Sequence, residues 1–287
     1  MDRLLADELR HLWGEVDAGR LPVERFTAEQ ERLLGIYRGW WTEALRRPGE
    51  PNLAESLVGE LAAYTGTSDR EAVRARCREA VEAIRDQWHR TVDPADPKAV
   101  VRFYDETEAH LYELMWWHTL AEDLSPLAYV TALDFGRRHG CSRYLDFGSG
   151  VGSGGLLFAH NGFAVTLADI SSALLRFCRW RFAQAGRPVR TVDLKSAPLP
   201  EAAFDLVTAM DVFEHLTDPT EVVDAIHRAL RPGGYLFGRF AAEEDPLRPQ
   251  HIVLDFEPVF ARLRERGFTE VWRDAWLWGH QVFQRPS

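Results

Sequence analysis

Two rhythms of apolar residues divide the chain. Through about residue 120 they recur at three- and four-residue spacing: Leu5, Leu9, Leu12, Trp13 and Val16, then Phe26, Leu33, Leu34, Tyr37, Trp40, Trp41 and Leu45. That spacing lines one face of an amphipathic helix, so this stretch is expected to be helical throughout. The segment Arg46–Asn52 holds Pro48, Gly49 and Pro51 and interrupts the run. Ser68 and Glu71 predict a capping box for a helix whose apolar face is Val73, Cys77, Val81, Ile84 and Trp88. Beyond Pro94 and Pro97, one continuous helix is expected over 103–120.

After Ser125-Pro126, a good N-cap and first-turn pair, the rhythm changes. A helix is expected to end near Arg138, before Gly140. Short apolar runs at Arg143–Phe147, Phe163–Ala168, Val189–Val192, Phe204–Ala209 and Tyr235–Phe240 then alternate with helical stretches at 154–161, 171–185 and 219–230. Strands joined by crossover helices predict an α/β fold with a doubly wound, mostly parallel sheet. A helix over 256–266 and two closing strands, 268–273 and 280–284, predict a C-terminal antiparallel hairpin. The division expected is a helical N-terminal region over 1–121 and a sheet domain over 122–287.

Composition narrows the function classes. Of 287 residues, 46% are apolar and 27% charged, ordinary for a globular chain. The net charge of −10 argues against a nucleic-acid surface. Lys98 and Lys195 are the only lysines, so 32 of the 34 basic residues are arginine and little lysine is left for catalysis. Cys77, Cys141 and Cys178 form no CxxC pair, and the N-terminus lacks the apolar run of a signal peptide. A cytoplasmic protein with neither a disulfide scaffold nor a membrane span is therefore expected.

The most informative segment is Tyr144-Leu-Asp-Phe-Gly-Ser-Gly-Val-Gly-Ser-Gly-Gly155. A strand ends at Phe147, and Gly148, Gly150 and Gly152 allow a sharp turn that leads into a helix N-terminus beside a ligand. A dinucleotide pattern would want its third glycine where Ser153 stands and has no place for Asp146. With its acid ahead of GxGxG, the segment resembles the first motif of the class I S-adenosylmethionine-dependent methyltransferases. Further matches follow in family order. Phe163–Asp169 is a strand ending in an acid, Val192-Asp193-Leu194 ends the third strand, and Phe204–Pro219 resembles the fourth-strand signature. Leu230–Leu236 resembles the turn into the fifth strand, and 251–268 the last helix and its exit. The resemblance covers roughly 122–287 and implies a seven-stranded Rossmann-like sheet with S-adenosylmethionine as cofactor.

It also implies roles for particular residues. Asp169 would accept the ribose hydroxyls, with Ile170 beside it, and Asp193 and Leu194 would meet the adenine. Gly148, Ser149, Gly150 and Gly152 would approach the ribose and methionine. Asp146 would orient the loop or receive the methionine ammonium, while Met210, Asp211 and Tyr104 would complete the cofactor pocket. Loss of Asp169 is expected to spare folding, since a strand-end carboxylate is not core.

A small, apolar or aromatic methyl acceptor should meet the loops after the fourth and fifth strands, 210–218 and 241–253. His215, His251 and Asp211 are the candidate catalytic groups there, His215 foremost as a general base. Tyr112, Trp116, Trp117 and Phe213 are candidates for binding the acceptor. No metal site is expected, because His110 and His118 lie more than two helical turns apart without an acid partner. The helical region would serve as a lid, bind substrate, or form a homodimer. The rival readings are a protein or peptide methyltransferase that docks its substrate there, and a cofactor-binding module without transferase activity.

Overall fold

A computed structural model describes residues 3–241 and 244–287. Six helices come first: α1 (Leu5–Asp17), α2 (Val23–Leu45), α3 (Leu53–Thr65), α4 (Arg70–Thr91), α5 (Pro97–Glu106) and α6 (Ala109–Trp117). Helix α3 opens where the Asn52 side chain accepts from the Glu55 backbone N–H at 2.9 Å. The cap of α4 is Asp69, which accepts from Ala72, rather than the expected Ser68. The single helix expected over 103–120 is two helices, broken at Thr107 in extended backbone. The break lets α5 reach the sheet domain, where Asp105 accepts from Ser172 N at 2.8 Å, while α6 packs against α3 and α4.

A 3-10 turn at Ser125–Leu127 leads into α7 (Ala128–Arg138). The alternation follows: β1 (Arg143–Phe147), α8 (Ser153–His160), β2 (Ala164–Asp169), α9 (Ser172–Gln184), β3 (Arg190–Asp193), β4 (Phe204–Ala209), α10 (Pro219–Ala229), β5 (Leu230–Gly238), α11 (Glu257–Glu265), β6 (Thr269–Arg273) and β7 (Gln281–Gln284). The strands form one sheet in the order β3-β2-β1-β4-β5-β7-β6. Strands β1 to β5 are parallel, and β7 runs antiparallel between β5 and β6. Because β1 has β2 on one side and β4 on the other, the winding reverses there and opens a crevice at the strands' carboxyl ends.

The apolar faces read from sequence are buried. Phe147, Phe204, Val207, Phe213 and Phe240 fill one face of the sheet with α10 and α11. On the other face Tyr144, Phe158, Leu167 and Phe182 join Tyr37, Trp41, Leu57 and Leu61 from the helical region in one continuous core. Each fully buried large side chain there contributes roughly 1.5–3 kcal/mol. Polar contacts cross the same boundary. Trp41 Nε1 donates to the His118 carbonyl at 3.0 Å, and Arg181 on α9, fully buried, donates to Glu60 on α3 at 2.9 Å. The helical region is therefore packed onto the sheet rather than tethered to it. No helix among the described residues is long and apolar enough to cross a membrane.

Candidate functional site

The turn after β1 is built for close approach. Gly148 and Gly150 have φ of +68° and +51°, the left-handed region open to glycine at little steric cost. A Cβ on Gly148 would sit 2.5 Å from Val212, and one on Gly150 would sit 2.7 Å from Leu114 of α6. The loop is thus pressed between the exit of β4 and the helical roof. Asp169, at the end of β2, clasps it from beneath: Oδ2 accepts from Gly150 N and Oδ1 from Ser171 N, each at 2.8 Å. Burial raises the Asp169 carboxyl above its ordinary pKa, partly offset by those backbone donors.

Over the loop lies a cavity of about 820 Å³. Its floor is Gly148, Ser149, Gly150, Asp169, Ile170, Leu194 and Met210, and its roof includes Tyr104, Leu114 and Trp117. Asp211, His215 and His251 lie at the far end. Most of the residues singled out from sequence therefore meet in one space.

Several do not. Asp146 lies behind the loop, wholly buried, its Oδ1 accepting from the Thr208 and Tyr129 hydroxyls at 3.0 and 3.3 Å while Oδ2 has no partner. Burial raises it to about 7, against the opposing pull of those hydroxyls. Gly152 caps α8 and faces Cys178 rather than the cavity. Asp193 is off the cavity wall, held by Lys195 at 3.1 Å. The acceptor contacts expected of Tyr112, Trp116 and Phe213 are corrected by their packing. Tyr112 is buried beneath the Arg76 guanidinium, Trp116 turns outward to Glu122, and Phe213 lies in the core against Phe240. Helical periodicity could not separate these from Trp117, which does reach the cavity.

The far end is densely polar. His215 Nδ1 lies 2.9 Å from the Tyr104 hydroxyl and 3.1 Å from the Gln250 carbonyl. His251 packs against it with ring centroids 4.9 Å apart. Burial, reinforced by His251, pushes His215 down to about 4, so at neutral pH it is uncharged and a weaker base than a free imidazole. Burial, with Asp211 nearby, pushes Glu214 up to about 8, and burial lowers His251. Asp211, in left-handed backbone at φ +49°, accepts from Arg239 at 2.9 Å, and Glu113 accepts from Arg248 at 3.0 Å. Glu214, His215 and His251 each offer a ligand atom within 4.8 Å of the others, a grouping that brings together two loops far apart in sequence. Ala242 and Glu243 of the expected acceptor loop lie outside the described residues.

Glu113, Tyr129, Arg239 and Arg248 also line the cavity and were not foreseen. Tyr129 could have been found as the aromatic one helical turn after Ser125. The two arginines had no distinguishing signal in so arginine-rich a chain. The cavity fits a nucleoside-bearing cofactor: two glycines whose Cβ would foul the walls, the carboxylate beneath them, and a buried Ser149 hydroxyl without a partner, on the cavity wall.

Residues 145–238 match the family model described as a methyltransferase domain. The ubiquinone biosynthesis O-methyltransferase of Paracidovorax citrulli is 34% identical over 131 residues, 42% of this chain and 55% of that protein. Its namesake from Photorhabdus laumondii is 31% identical over 157 residues, 50% of this chain and 63% of that one. The chain thus spans less than two thirds of the length of these relatives. Among solved structures, Burkholderia thailandensis 1,6-didemethyltoxoflavin-N1-methyltransferase, with S-adenosylhomocysteine and 1,6-didemethyltoxoflavin bound, has a TM-score of 0.53 at 20% identity. That likeness covers 68% of this chain and 92% of that one, and it is a likeness of fold.

Proposed function

We propose that this chain, whose residues 145–238 match a methyltransferase-domain model, is a class I S-adenosylmethionine-dependent methyltransferase that methylates a hydroxyl oxygen of a small, flat, largely apolar acceptor. The observation that carries the reading is one cavity with two unlike ends: the clasped glycine loop at one, the Tyr104–His215–His251 cluster at the other. S-adenosylmethionine supplies a methyl carbon already activated by its positive sulfur, so the protein's main task is to position the acceptor.

Each end then has its work. Asp169 keeps the loop open and offers its carboxylate to the ribose hydroxyls, while Ile170 and Leu194 flank the base and Ser149 answers a polar group of the cofactor. Asp146, behind the loop, acts on the methionine end through the loop itself. Trp117 and Leu114 exclude water from above, and Trp117 is oriented by its Nε1–H, which donates to Asp123 at 2.9 Å. The polar cluster holds the acceptor's hydroxyl, and as the methyl leaves sulfur to give S-adenosylhomocysteine the hydroxyl proton passes to a neutral imidazole of His215 or His251. The names of the curated relatives, which are O-methyltransferases, support oxygen as the methylated atom.

The test is to incubate the full chain with methyl-labelled S-adenosylmethionine and a panel of hydroxylated aromatic compounds. Label in the small-molecule fraction is expected. Label on added protein would instead favour the helical region as a docking surface for a peptide, and label on neither would favour a binding module.

A further inference from the structure

We propose that Glu214, His215 and His251 form a binding site for a divalent cation of the Zn²⁺ type at the acceptor end of the cavity. One ligand atom of each lies within 4.8 Å of the other two, although His251 comes from a different loop. Two backbone hydrogen bonds fix that meeting, from Ile252 N and Val253 N to the Glu214 carbonyl at 2.8 and 3.0 Å. A tetrahedral site with bonds near 2.0–2.1 Å needs ligand atoms about 3.3 Å apart, so side-chain shifts of roughly 1 Å complete it.

A second, independent observation points to a missing partner. Glu214 is 2% exposed, it lines the cavity, and its Oε2 has no hydrogen-bond partner. A buried polar oxygen left without a partner is costly, and a cation meeting it would remove that cost. The neighbouring guanidiniums are engaged elsewhere, Arg239 by Asp211 and Arg248 by Glu113. His215 is oriented for ligation as well. In the tautomer that donates from Nδ1 to the Gln250 carbonyl at 3.1 Å, with the Tyr104 hydroxyl beside it, the Nε2 lone pair is left for a cation, the usual arrangement around a metal-binding imidazole.

Two imidazoles and one carboxylate suit Zn²⁺ or a similar transition ion with its fourth position open, whereas Mg²⁺ and Ca²⁺ favour oxygen ligands throughout. The open position would face the cavity, where an acceptor hydroxyl could occupy it. That use of the cation rests on the methyl-transfer reading; its binding does not.

The test is a titration of the full chain, freed of metal by chelation, with Co²⁺ followed by visible absorption, and with Zn²⁺ followed by calorimetry. One equivalent of each is expected to bind, with a dissociation constant well below roughly 0.1 mM. Glu214→Gln, nearly isosteric, and His251→Ala, at a half-exposed position, should each weaken it by about 100-fold or more. S-adenosylhomocysteine titrated into the same proteins reports whether they are folded and reads the cofactor end separately. No Co²⁺ binding by a wild-type chain that binds S-adenosylhomocysteine would overturn the proposal, as would binding that survives both substitutions. Cation binding without S-adenosylhomocysteine binding would uphold the site and contradict the methyl-transfer reading instead.

Discussion

Replacing Asp169 with alanine should damage the fold as well as the cofactor site, which corrects the expectation from sequence that folding would be spared, because the carboxylate is buried and holds the loop. The carboxylate accepts two buried backbone N–H groups, from Gly150 and Ser171. Alanine leaves both donors unsatisfied, and each unsatisfied buried donor costs about 1–3 kcal/mol. The expected loss of stability is therefore about 2–6 kcal/mol, enough to move the midpoint of a urea transition clearly. On the proposed reading the cofactor loses its ribose acceptor as well. At about 1.5–3 kcal/mol for a hydrogen bond to a charged group, a loss of 2 kcal/mol or more is expected, which is roughly 30-fold in the dissociation constant. Urea unfolding followed by circular dichroism gives the first quantity, and calorimetric titration with S-adenosylhomocysteine gives the second. Stability within about 0.5 kcal/mol of wild type, the ordinary scatter of surface substitutions, would refute the clasp. A destabilised variant with unchanged affinity would leave Asp169 a strut of the loop and require another ribose ligand.

Two further perturbations test the frame around the site. Glu60→Gln should cost about 3–5 kcal/mol, because it leaves the fully buried Arg181 charge without its carboxylate, and urea unfolding measures it; a neutral result would mean that the helical region does not depend on this pair. For Asp205, burial alone would raise the carboxyl, but Ser142 and Arg143 together outweigh it and hold the pKa below its ordinary value. A folded-state pKa below the unfolded one gives stability that is present above about pH 3.9 and lost as pH falls through the folded value. The stability gap between wild type and Asp205→Asn should therefore close as pH is lowered below about 4, and a gap that stays constant would show that the carboxylate's charge contributes nothing.

Much of this was legible in the chain because the signals are local. The alternation of short apolar runs with helical stretches is a backbone rule, and it places β1 to β5 and their order of crossing. The glycine loop with Asp146 is equally local, since both lie within one strand-turn-helix unit, and Asp169 ends the very next strand. What stayed hidden depends on three dimensions. Tyr112, Trp116 and Trp117 share one helix, and only the position of α4 decides that the first two face Arg76 and Arg78 while the third faces the cavity. The break at Thr107 is imposed by where α5 and α6 must each pack. His215 looked like a neutral-pH base because it follows the fourth strand and an ordinary imidazole titrates near neutrality, yet burial under Tyr104 and beside His251 removes that property. Glu60 and Arg181, distant in sequence, show no pattern that would pair them.

The most direct test of the account is calorimetric titration of the full chain with S-adenosylhomocysteine and, separately, with NADH. The clasped glycine loop, the acid behind it and the cavity roofed by α6 predict one S-adenosylhomocysteine per chain, with a dissociation constant in the micromolar range, about −8 kcal/mol, and no heat from NADH. Tight NADH binding with no S-adenosylhomocysteine heat would contradict the account at its centre.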